Sequence, residues 1–391
     1  MAGSLPKPTR WFWQQGCFRA ERPQRGRLRE FMQWNADLIG DGSPEGDCDA
    51  IACCVDLLSA CGLTAADVRV RFNHRAVLAE LMKRLGVDDE HMPSAFVLLD
   101  RRDRLKPDDL EAMAYEFGLT GGDFVGFLRR PADASRPEAA LEWIPAEARP
   151  DARRILAPLD NLRDLAQGAG LGAFLETDLN VARGLAYYTG MVFEVHEANG
   201  AERAVAGGGR YDGLIETFGG PSTPAVGFGM GDVVLSLVLE DRKLMPEGAA
   251  LLDALSRPSA SYRPEVFVIP AGPTPADQDA TSALVRPLLA RLRRGTESPA
   301  WLGREGRKPW DADRYDTDAG GARPLHARAS GKTTRNIGKL VQDAVAQRAR
   351  LAVILESADE CTIKNLDTNE QDAHRTKLEH LPRVLAKRLG G

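Results

Sequence analysis

The sequence predicts an α+β fold in two units, an opening unit in which strands flank a long helical segment and a closing α/β unit. Three observations support this prediction: residues 29–39 alternate like a strand, residues 75–166 are mainly helical, and a strand-then-helix pattern begins after residue 262. At 391 residues the chain also exceeds what one hydrophobic core usually organises, so two domains are expected, with a third possible as an insertion.

Composition places the chain among ordinary globular proteins. It is 43% hydrophobic and 27% charged, which excludes the disordered, collagenous and disulfide-rich classes. A net charge of -5 disfavours a protein that coats nucleic acid non-specifically, while a local basic surface remains possible. No stretch reaches the length of a signal peptide's apolar region or of a membrane span, so we expect a cytoplasmic protein.

The cysteines are spread unevenly and form no disulfide framework, which favours reduced thiols. They are Cys17, Cys48, Cys53, Cys54, Cys61 and Cys361. The cluster has no paired CxxC and only the lone His74 downstream, so buried helical cysteines are favoured over a zinc site and no metal is expected to bind the protein directly.

Residues 11–40 predict two strands joined by a charged loop. The aromatic run Trp11–Phe18 is the first strand, the loop lies near Gln24–Arg27, and Arg29–Ile39 is the second strand. The second strand has an apolar and a polar face, Met32, Trp34, Ala36 and Leu38 against Gln33, Asn35 and Asp37. Its polar face must border solvent or a pocket.

A helical segment interrupts the strands. We expect a helix over Asp49–Cys61, a short strand over Asp67–Phe72, and helices over Arg75–Ala166. Breaks are expected at Pro107, Pro131 and Pro150. The opening unit is thus divided into a first part at 1–74, a helical insertion at 75–166 and a second part at 167–250.

The second part of the opening unit is rich in strands and glycine. Val181–Val195 predicts strand, Ala206–Gly213 and Gly219–Gly231 are glycine-dense, and Val233–Leu239 predicts an apolar helix. Glycine in such strands permits close approach of the backbone to a neighbour.

The closing unit spans residues 262–391, after a polar link over Met245–Tyr262 and a boundary near residue 260. Strand and helix patterns follow each other in it, at Glu265–Ile269, a helix with Leu284, Leu288 and Leu292, Lys339–Gln347, Leu351–Leu355 and Cys361–Leu366. Residues 296–322 have no period and predict a disordered insertion or surface loop.

The first group of candidate site residues surrounds the two opening strands. Arg19 and Glu21 are expected to share a strand face, where a guanidinium grips phosphate bidentately. Gln33 and Asp37, two pleats apart, suit a cationic or hydrogen-bonding ligand. A solvated charged hairpin is the alternative.

Two further strings carry tyrosines among small residues. Val181–Gly190 contains Arg183, Tyr187 and Tyr188 and, taken alone, is most often structural. Ala206–Gly213 contains Tyr211 and, taken alone, favours a tight glycine hairpin over a ligand site.

Together and in this order, the three segments resemble the histidyl-tRNA synthetase family. Arg19–Asp37 looks like motif 2 of class II synthetases, Arg183-Gly184-Leu185-Ala186-Tyr187-Tyr188 looks like the first histidine signature, and Gly208–Gly213 looks like the second. The similarity covers residues 5–246, and a weaker likeness to the anticodon-binding domain continues through 265–270 and 332–355.

The resemblance implies an antiparallel class II catalytic sheet with flanking helices and a helical insertion, plus a C-terminal α/β anticodon-binding-like domain. It also implies ATP-dependent activation of L-histidine to histidyl-adenylate, transfer to tRNA(His), Mg²⁺ as the counter-ion of ATP, and a homodimer once the N-terminal part is present.

Carried over by position, the resemblance assigns roles to nine residues. Arg19 and Arg183 are the catalytic arginines, and Arg19, Glu21 and Arg27 bind ATP. The histidine-binding set is Arg19, Gln33, Asp37, Arg183, Tyr187, Tyr188 and Tyr211. Asp37 stands where many bacterial members have glutamate, so its charge is retained with a shorter reach.

Basic residues of the closing unit are candidates for tRNA contacts, with solvated helix faces as the alternative. They are Arg286, Arg291, Arg293, Arg294, His326, Arg328, Lys332, Arg335 and Lys339.

Two departures from the family pattern lead to alternative functions. Motif 2 begins within the first twenty residues, so we expect a chain that lacks the N-terminal part with motif 1. Asp232-Val233-Val234 stands where the family carries its motif 3 arginine. The alternatives are a catalytically silent histidine-binding relative, such as the regulatory subunit of ATP phosphoribosyltransferase, and an inactive truncated product.

Overall fold

A computed structural model describes most of the chain, in two compact units. The described residues are 7–102, 105–129, 137–142, 144–145, 147, 152–182, 187–198, 203–245, 247–248, 263–295, 325–332 and 334–389. Unit 1 comprises Met1–Cys54, Ala65–Gln167 and Leu171–Val238, and unit 2 comprises Val55–Thr64, Gly168–Gly170 and Leu239–Gly391. The predicted boundary near residue 260 lies outside the described residues, as does the irregular segment 296–322.

Unit 1 is built on a sheet with the strand order β1-β2-β7-β6-β5-β3-β4 in the described part of the chain. The strands are β1 Thr9–Phe18, β2 Glu30–Ile39, β3 Val68–His74, β4 Leu175–Thr177, β5 Met191–Glu197, β6 Ala206–Arg210 and β7 Ala225–Gly231. All neighbouring strands pair antiparallel except β3 and β4, which are parallel. The predicted α+β class with an antiparallel sheet is confirmed.

The two opening strands are confirmed, and β1 and β2 pair along their whole length. The chain leaves the sheet after Phe18, because a turn closed by hydrogen bonds between Gln24 and Arg27 forms the tip of this hairpin. Arg19 and Glu21 therefore lie beyond β1, and the prediction that they share a strand face is wrong.

The glycine run forms β6, a central strand rather than a tight hairpin. It pairs with β5 on one side and β7 on the other. A Cβ on Gly208 would lie 2.2 Å from the carbonyl oxygen of Gly227 and 2.5 Å from Cβ of Phe228. The glycines thus serve close approach within the sheet, and the hairpin expected from the isolated string is wrong.

Helices of unit 1 flank the sheet. They are α1 Pro44–Ala60, α2 Arg75–Arg84, α3 Met92–Arg101, α4 Pro107–Glu116, α5 Gly122–Leu128, α6 Pro137–Leu141, α7 Ala157–Gly168, α8 Leu214–Thr217 and α9 Asp232–Asp241. The predicted break at Pro107 is confirmed, since α4 begins there. Pro131 and Pro150 lie outside the described residues.

The predicted strand at Val181–Val195 is shorter than expected. Regular strand begins at Met191, and residues 183–186 lie outside the described part of the chain. The short strand β4 was not predicted, because three residues carry no readable period.

Unit 2 is a sheet of order β12-β11-β10-β8-β9 in its described residues, with three helices. The elements are β8 Val266–Pro270, α10 Pro275–Arg294, β9 Ala327–Ala329, α11 Ile337–Ala346, β10 Leu351–Leu355, β11 Glu360–Asn365, β12 Thr376–Lys377 and α12 Leu381–Leu389. Strands β9, β8 and β10 are parallel, whereas β11 and β12 are antiparallel. The predicted α/β organisation of this unit is confirmed.

Packing on both faces explains the continuous apolar strands of unit 2. Val266 and Val268 pack with Leu288 of α10, while Phe267 and Ile269 pack with Leu340 of α11. A strand buried on both faces has no polar side to show, so it reads as a hydrophobic run.

Buried helical cysteines, as predicted, are found at two positions of α1. Cys48 and Cys54 are buried in α1 and Cys361 is buried in β11, whereas Cys53 is exposed. Among the described helices, none combines the length and the apolar character needed to cross a bilayer.

Close packing of β6 on β7 makes a testable prediction. Gly208→Ala should destabilise the protein by on the order of 1–3 kcal/mol, because the added methyl meets backbone atoms that a rotamer change cannot move. Gly16→Ala in β1 is the matched control, since a Cβ there meets nothing within 4 Å. Denaturant unfolding of both variants measures the effect, and equal stability would contradict the packing described here.

Candidate functional site

A cavity of about 970 Å³ lies on one face of the unit 1 sheet. Its size is within the range of small-molecule sites. Strands β2, β5, β6 and β7 supply its floor and two walls, and the turn between β1 and β2 supplies its rim.

The cavity floor is made of glycines that lie in register across β6 and β7. Gly227 pairs with Asp37 and Gly229 pairs with Asn35. A Cβ on Gly227 would lie 2.2 Å from Asp37 Oδ1, and one on Gly229 would lie 2.3 Å from Gln33 Nε2. The missing side chains therefore leave room for the polar groups of β2 to lie flat over the sheet.

The polar face predicted for β2 does line the cavity, with Gln33, Asn35 and Asp37 in a row. Gln33 Nε2 donates to Asn35 Oδ1 at 2.9 Å. Asn35 Nδ2 is buried without a hydrogen-bond partner among the described residues. The period-two alternation of the sequence was thus sufficient to predict that this face of β2 borders the cavity.

Asp37 and Tyr211 form a hydrogen-bonded pair at one end of the cavity. Tyr211 Oη donates to Asp37 Oδ1 in a short contact. Burial raises the pKa of Asp37, and the hydrogen bond from Tyr211 opposes that rise. Burial and the neighbouring carboxylate also raise the pKa of Tyr211, so its hydroxyl stays protonated and remains a donor.

Three tyrosines from two of the predicted segments meet here. The ring centroids of Tyr187 and Tyr188 are 4.7 Å apart, and those of Tyr187 and Tyr211 are 6.2 Å apart at nearly a right angle. Gly209 makes room for Tyr188, because a Cβ on that glycine would lie 2.9 Å from Tyr188 Cδ1. The result is an aromatic corner beside the carboxylate of Asp37.

Arginines occupy the rim. Arg19 lies 4.4 Å from the centroid of the Phe31 ring, and both residues line the cavity together with Arg27. Glu21 does not line the cavity in the described residues, but it forms an ion pair with Arg27. Arg183 lies outside the described residues, so its predicted role stays a prediction.

The residues that form the cavity wall opposite β2 were not predicted from the sequence. Glu194 and His196 of β5 line the cavity there, with Oε2 of Glu194 2.9 Å from Nε2 of His196, and Arg203 lies nearby in the lining. Both residues alternate with buried Phe193 and Val195, so the period-two signal was present but short.

A buried ion pair fixes the strand that carries Tyr211. Arg210 donates to Asp47 of α1 at 2.8 Å and to the carbonyl oxygens of Asp41 and Ser43 at 2.9 and 3.0 Å. Burial raises the pKa of Asp47 from its ordinary value of 3.8 to about 6, against the charge of Arg210. Arg210 was part of the glycine signature, yet nothing in the sequence pointed to its partner.

The position at which the motif 3 arginine is expected carries an aspartate, which accepts a hydrogen bond. Asp232, the first residue of α9, accepts a hydrogen bond from the backbone N–H of Met32 at 3.1 Å. It thereby links α9 to β2 at the edge of the cavity.

Several basic side chains of unit 2 bind within that unit. Arg291 donates to the carbonyl oxygens of Leu378 and Glu379, and Arg293 donates to that of Ala327. Lys332 and Arg335 form ion pairs with Asp343 and Asp279. These contacts favour a structural role for part of the predicted tRNA-binding set.

No group of three or more His, Cys, Asp or Glu side chains among the described residues is arranged to hold a metal ion. The carboxylates that line the described cavity, Asp37 and Glu194, stand on opposite walls. A cation that enters this cavity would therefore take most of its ligands from elsewhere.

Comparison with known proteins points to one family. The histidyl-tRNA synthetase family model matches residues 2–232. A histidine–tRNA ligase of Opitutus terrae is 37% identical over 257 residues, covering 63% of this chain and 56% of that protein. One of Halobacterium salinarum is 35% identical over 291 residues, covering 72% and 62%. The chain thus spans about three fifths of the length of these relatives.

Among solved structures, the histidyl-tRNA synthetase of Nostoc sp. PCC 7120 aligns with this chain. Its TM-score is 0.49 at 19% identity, over 99% of this chain and 80% of that one.

The Asp47–Arg210 pair predicts a pH dependence of stability. Because burial raises the pKa of Asp47 to about 6, the folded state binds its proton more tightly than the unfolded state does. The stabilisation is present at low pH and is lost as pH rises through 6. Relative to Asp47→Asn, the wild-type free energy of unfolding should fall by on the order of 2–3 kcal/mol from pH 4 to pH 7. Denaturant titrations at several pH values measure it, and a rise instead would mean that Arg210 keeps Asp47 ionised.

Proposed function

The chain belongs to the histidyl-tRNA synthetase family, and we propose that it activates L-histidine with ATP and transfers the histidyl group to tRNA(His). The observation that carries the proposal is the Asp37–Tyr211 pair on a glycine floor, with an aromatic corner at one end of the cavity and arginines at its rim. The aromatic corner suits the imidazole of histidine, and the arginines at the rim suit the phosphates of ATP.

The imidazole of histidine fits the corner that Asp37 and the tyrosines form. A ring N–H donates to the Asp37 carboxylate, whose other partner is the Tyr211 hydroxyl. A side chain without a ring N–H would leave this buried carboxylate short of a donor, and sites built in this way reject such analogues strongly. The amide of Gln33 lies four residues from Asp37 along the same strand, where it suits the amino or carboxyl group of the ligand.

The nucleotide fits the rim. Guanidinium groups bind phosphate oxygens bidentately, and Arg19 and Arg27 both border the cavity. In the proposed reaction a carboxylate oxygen of histidine attacks the α-phosphorus, the bond from that phosphorus to the α,β-bridging oxygen breaks, and pyrophosphate leaves. The 2′- or 3′-hydroxyl of the tRNA then displaces AMP from the adenylate. No protein nucleophile is needed for either step.

Two components of the proposal rest on the resemblance. Arg183 is proposed to contact the α-phosphate as charge accumulates during attack. Mg²⁺ is proposed to enter with ATP, bound mainly by phosphate oxygens and water, which fits a cavity whose described lining offers few carboxylates.

We also propose that the protein is a homodimer and that it acts in the cytoplasm. The edge strand β1 exposes Phe12 and Phe18 on one face and Trp11 on the other, large apolar side chains of the kind that protein interfaces cover. Unit 2 is proposed to contact the tRNA.

One observation favours a second candidate, a catalytically silent histidine-binding relative such as the regulatory subunit of ATP phosphoribosyltransferase. Asp232 stands where the resemblance leads us to expect the arginine that packs on ATP, and its carboxylate is engaged by Met32 N–H. Such a protein would keep the histidine corner without the exchange reaction, whereas an inactive truncated product would show neither histidine binding nor exchange.

Histidine-dependent exchange of pyrophosphate into ATP tests the proposed function. We expect exchange with L-histidine and not with L-phenylalanine, and Tyr211→Phe should raise the KM for histidine by about tenfold to a hundredfold, because Asp37 loses its buried partner. Tyr115→Phe is the matched control, since Tyr115 is exposed on α4 and contacts Glu111 there.

Binding measured by calorimetry separates the candidates. Histidine binding without exchange would favour the regulatory protein, binding and exchange together would support the ligase, and the absence of both would indicate an inactive product.

A further inference from the structure

The hydroxyl of Thr189 joins the two chain segments that carry the three tyrosines of the aromatic corner. Thr189 follows Tyr187 and Tyr188 directly, and it bonds the backbone on both sides of Tyr211. We infer that Thr189 is a positioning residue that holds these tyrosines in one arrangement and thereby sets the affinity of the corner for histidine. The inference rests on the proposed function, because histidine is the ligand proposed for this corner.

Three hydrogen bonds link Thr189 to the segment that carries Tyr211. Its backbone N–H donates to the carbonyl oxygen of Arg210 at 2.8 Å. Its Oγ1 accepts from the backbone N–H of Asp212 at 3.1 Å and donates to the same Arg210 carbonyl oxygen at 3.4 Å. A hydroxyl can donate and accept at once, which a valine side chain of nearly the same shape cannot do. The hydroxyl therefore bridges the residue before Tyr211 and the residue after it.

Asp212 completes this contact on the side of β7. Its Oδ1 accepts from the backbone N–H of Ala225 at 3.0 Å and from Nη1 of Arg210 at 3.1 Å. The backbone N–H of Tyr211 donates to the carbonyl oxygen of Ala225 at 2.8 Å. The backbone of Tyr211 is thus bonded to β7 itself, whereas toward β5 its position is set by the bonds that Thr189 makes to its two neighbours.

Packing carries this arrangement to the aromatic corner. Tyr188 is buried, and Tyr211 packs against the cluster to which it belongs. A Cβ on Gly190 would lie 3.0 Å from Cδ of Arg210, so the chain after Thr189 also lies against the stem of that arginine. The two segments therefore contact each other before and after Thr189, and a shift of one segment moves its tyrosines relative to those of the other.

The hydrogen bond between Tyr211 and Asp37 depends on this arrangement. Asp37 lies on β2, two strands away from β6 in the sheet. A hydrogen bond weakens steeply as its geometry departs from the optimum, so a small displacement of Tyr211 weakens the contact that orients the carboxylate toward the imidazole. In the proposed complex the tyrosines meet the imidazole, and the reacting carboxylate lies toward the arginines of the rim. Thr189 is therefore expected to act on binding rather than on chemistry.

Thr189→Val tests the inference, because it removes the hydroxyl and keeps the β-branched shape. We expect the Kd for L-histidine, measured by calorimetry, to rise about threefold to tenfold, the effect of one weakened hydrogen bond. Thr189→Ser retains the hydroxyl and should stay within about twofold of the wild-type Kd. Thr217→Val is the matched control, since Thr217 is exposed and its hydroxyl donates to the carbonyl oxygen of Gly213, four residues earlier, at 3.0 Å. An equal rise of the Kd in Thr217→Val, or a Thr189→Ser variant as weak as Thr189→Val, would overturn the inference.

The kcat for pyrophosphate exchange separates positioning from general damage. At saturating histidine, Thr189→Val should keep kcat within about twofold of the wild-type value, because it removes binding that the ground state and the transition state share. A merely structural role predicts the reverse, a lower kcat from a smaller folded fraction together with an unchanged Kd. That second pattern would contradict the inference.

A double-mutant cycle shows whether Thr189 acts through Tyr211. In a Tyr211→Phe background, Thr189→Val should raise the Kd for histidine by a smaller factor than it does in the wild type, because the hydroxyl that Thr189 places is already absent. Additive losses of affinity would mean that the two residues act independently, and the inference would fall.

Histidine binding distinguishes failure of the inference from failure of the proposed function. Wild-type protein that binds histidine without exchange would refute the ligase function, while the Kd values of the variants would still decide the role of Thr189. Wild-type protein that binds no histidine would refute both. Binding with equal Kd values in the wild type and Thr189→Val would refute the inference alone.

Discussion

The absence of side chains on β7 where it borders the polar groups of β2 is the constraint on which the site depends. Side chains at Gly227 and Gly229 would occupy the positions of the Asp37 carboxylate and the Gln33 amide. The same strands therefore serve as sheet and as cavity floor. Glycine weakens a strand because it adds conformational entropy to the unfolded chain, so the neighbouring strands and the Arg210 contacts must hold β6 in place.

The Arg210–Asp47 ion pair contributes both to the stability of the fold and to the geometry of the site. Removing Arg210 would leave the buried Asp47 carboxyl without its counter-charge, which costs more than the intact pair contributes, whereas Arg210 has a second ion pair with Asp212. Arg210 is also adjacent in the chain to Tyr211, so the contact that joins β6 to α1 sets the direction from which the tyrosine meets Asp37. Stability and histidine recognition are thus expected to respond to the same residues.

The sequence was informative where a residue's own strand decides its environment. Alternation along β2 predicted that Gln33 and Asp37 share a face, and their position on the cavity wall follows from that period alone. It was uninformative where the partner is distant in the chain. Asp47 lies 163 residues before Arg210, and Asn73 lies more than a hundred residues before the carbonyl groups it binds. Glu194 and His196 are an intermediate case. Their strand alternates but is short, and only the pairing of β5, β6 and β7 shows that they face β2 across the glycines.

Asp232 bears on how the nucleotide would be bound. Its carboxylate accepts from Met32 N–H at the point where β2 and β7 stop pairing, a hydrogen bond that an arginine side chain could not accept. A cation that stacks on the adenine must then come from another element. Among the described residues that line the cavity, Arg19 already lies over the ring of Phe31, and Arg27 is paired with Glu21. Arg203, on the opposite wall beside Glu194 and His196, is the remaining described arginine of the lining. In the proposed function, nucleotide binding would therefore be shared between the motif 2 rim and the β5 wall, with α9 supporting β2.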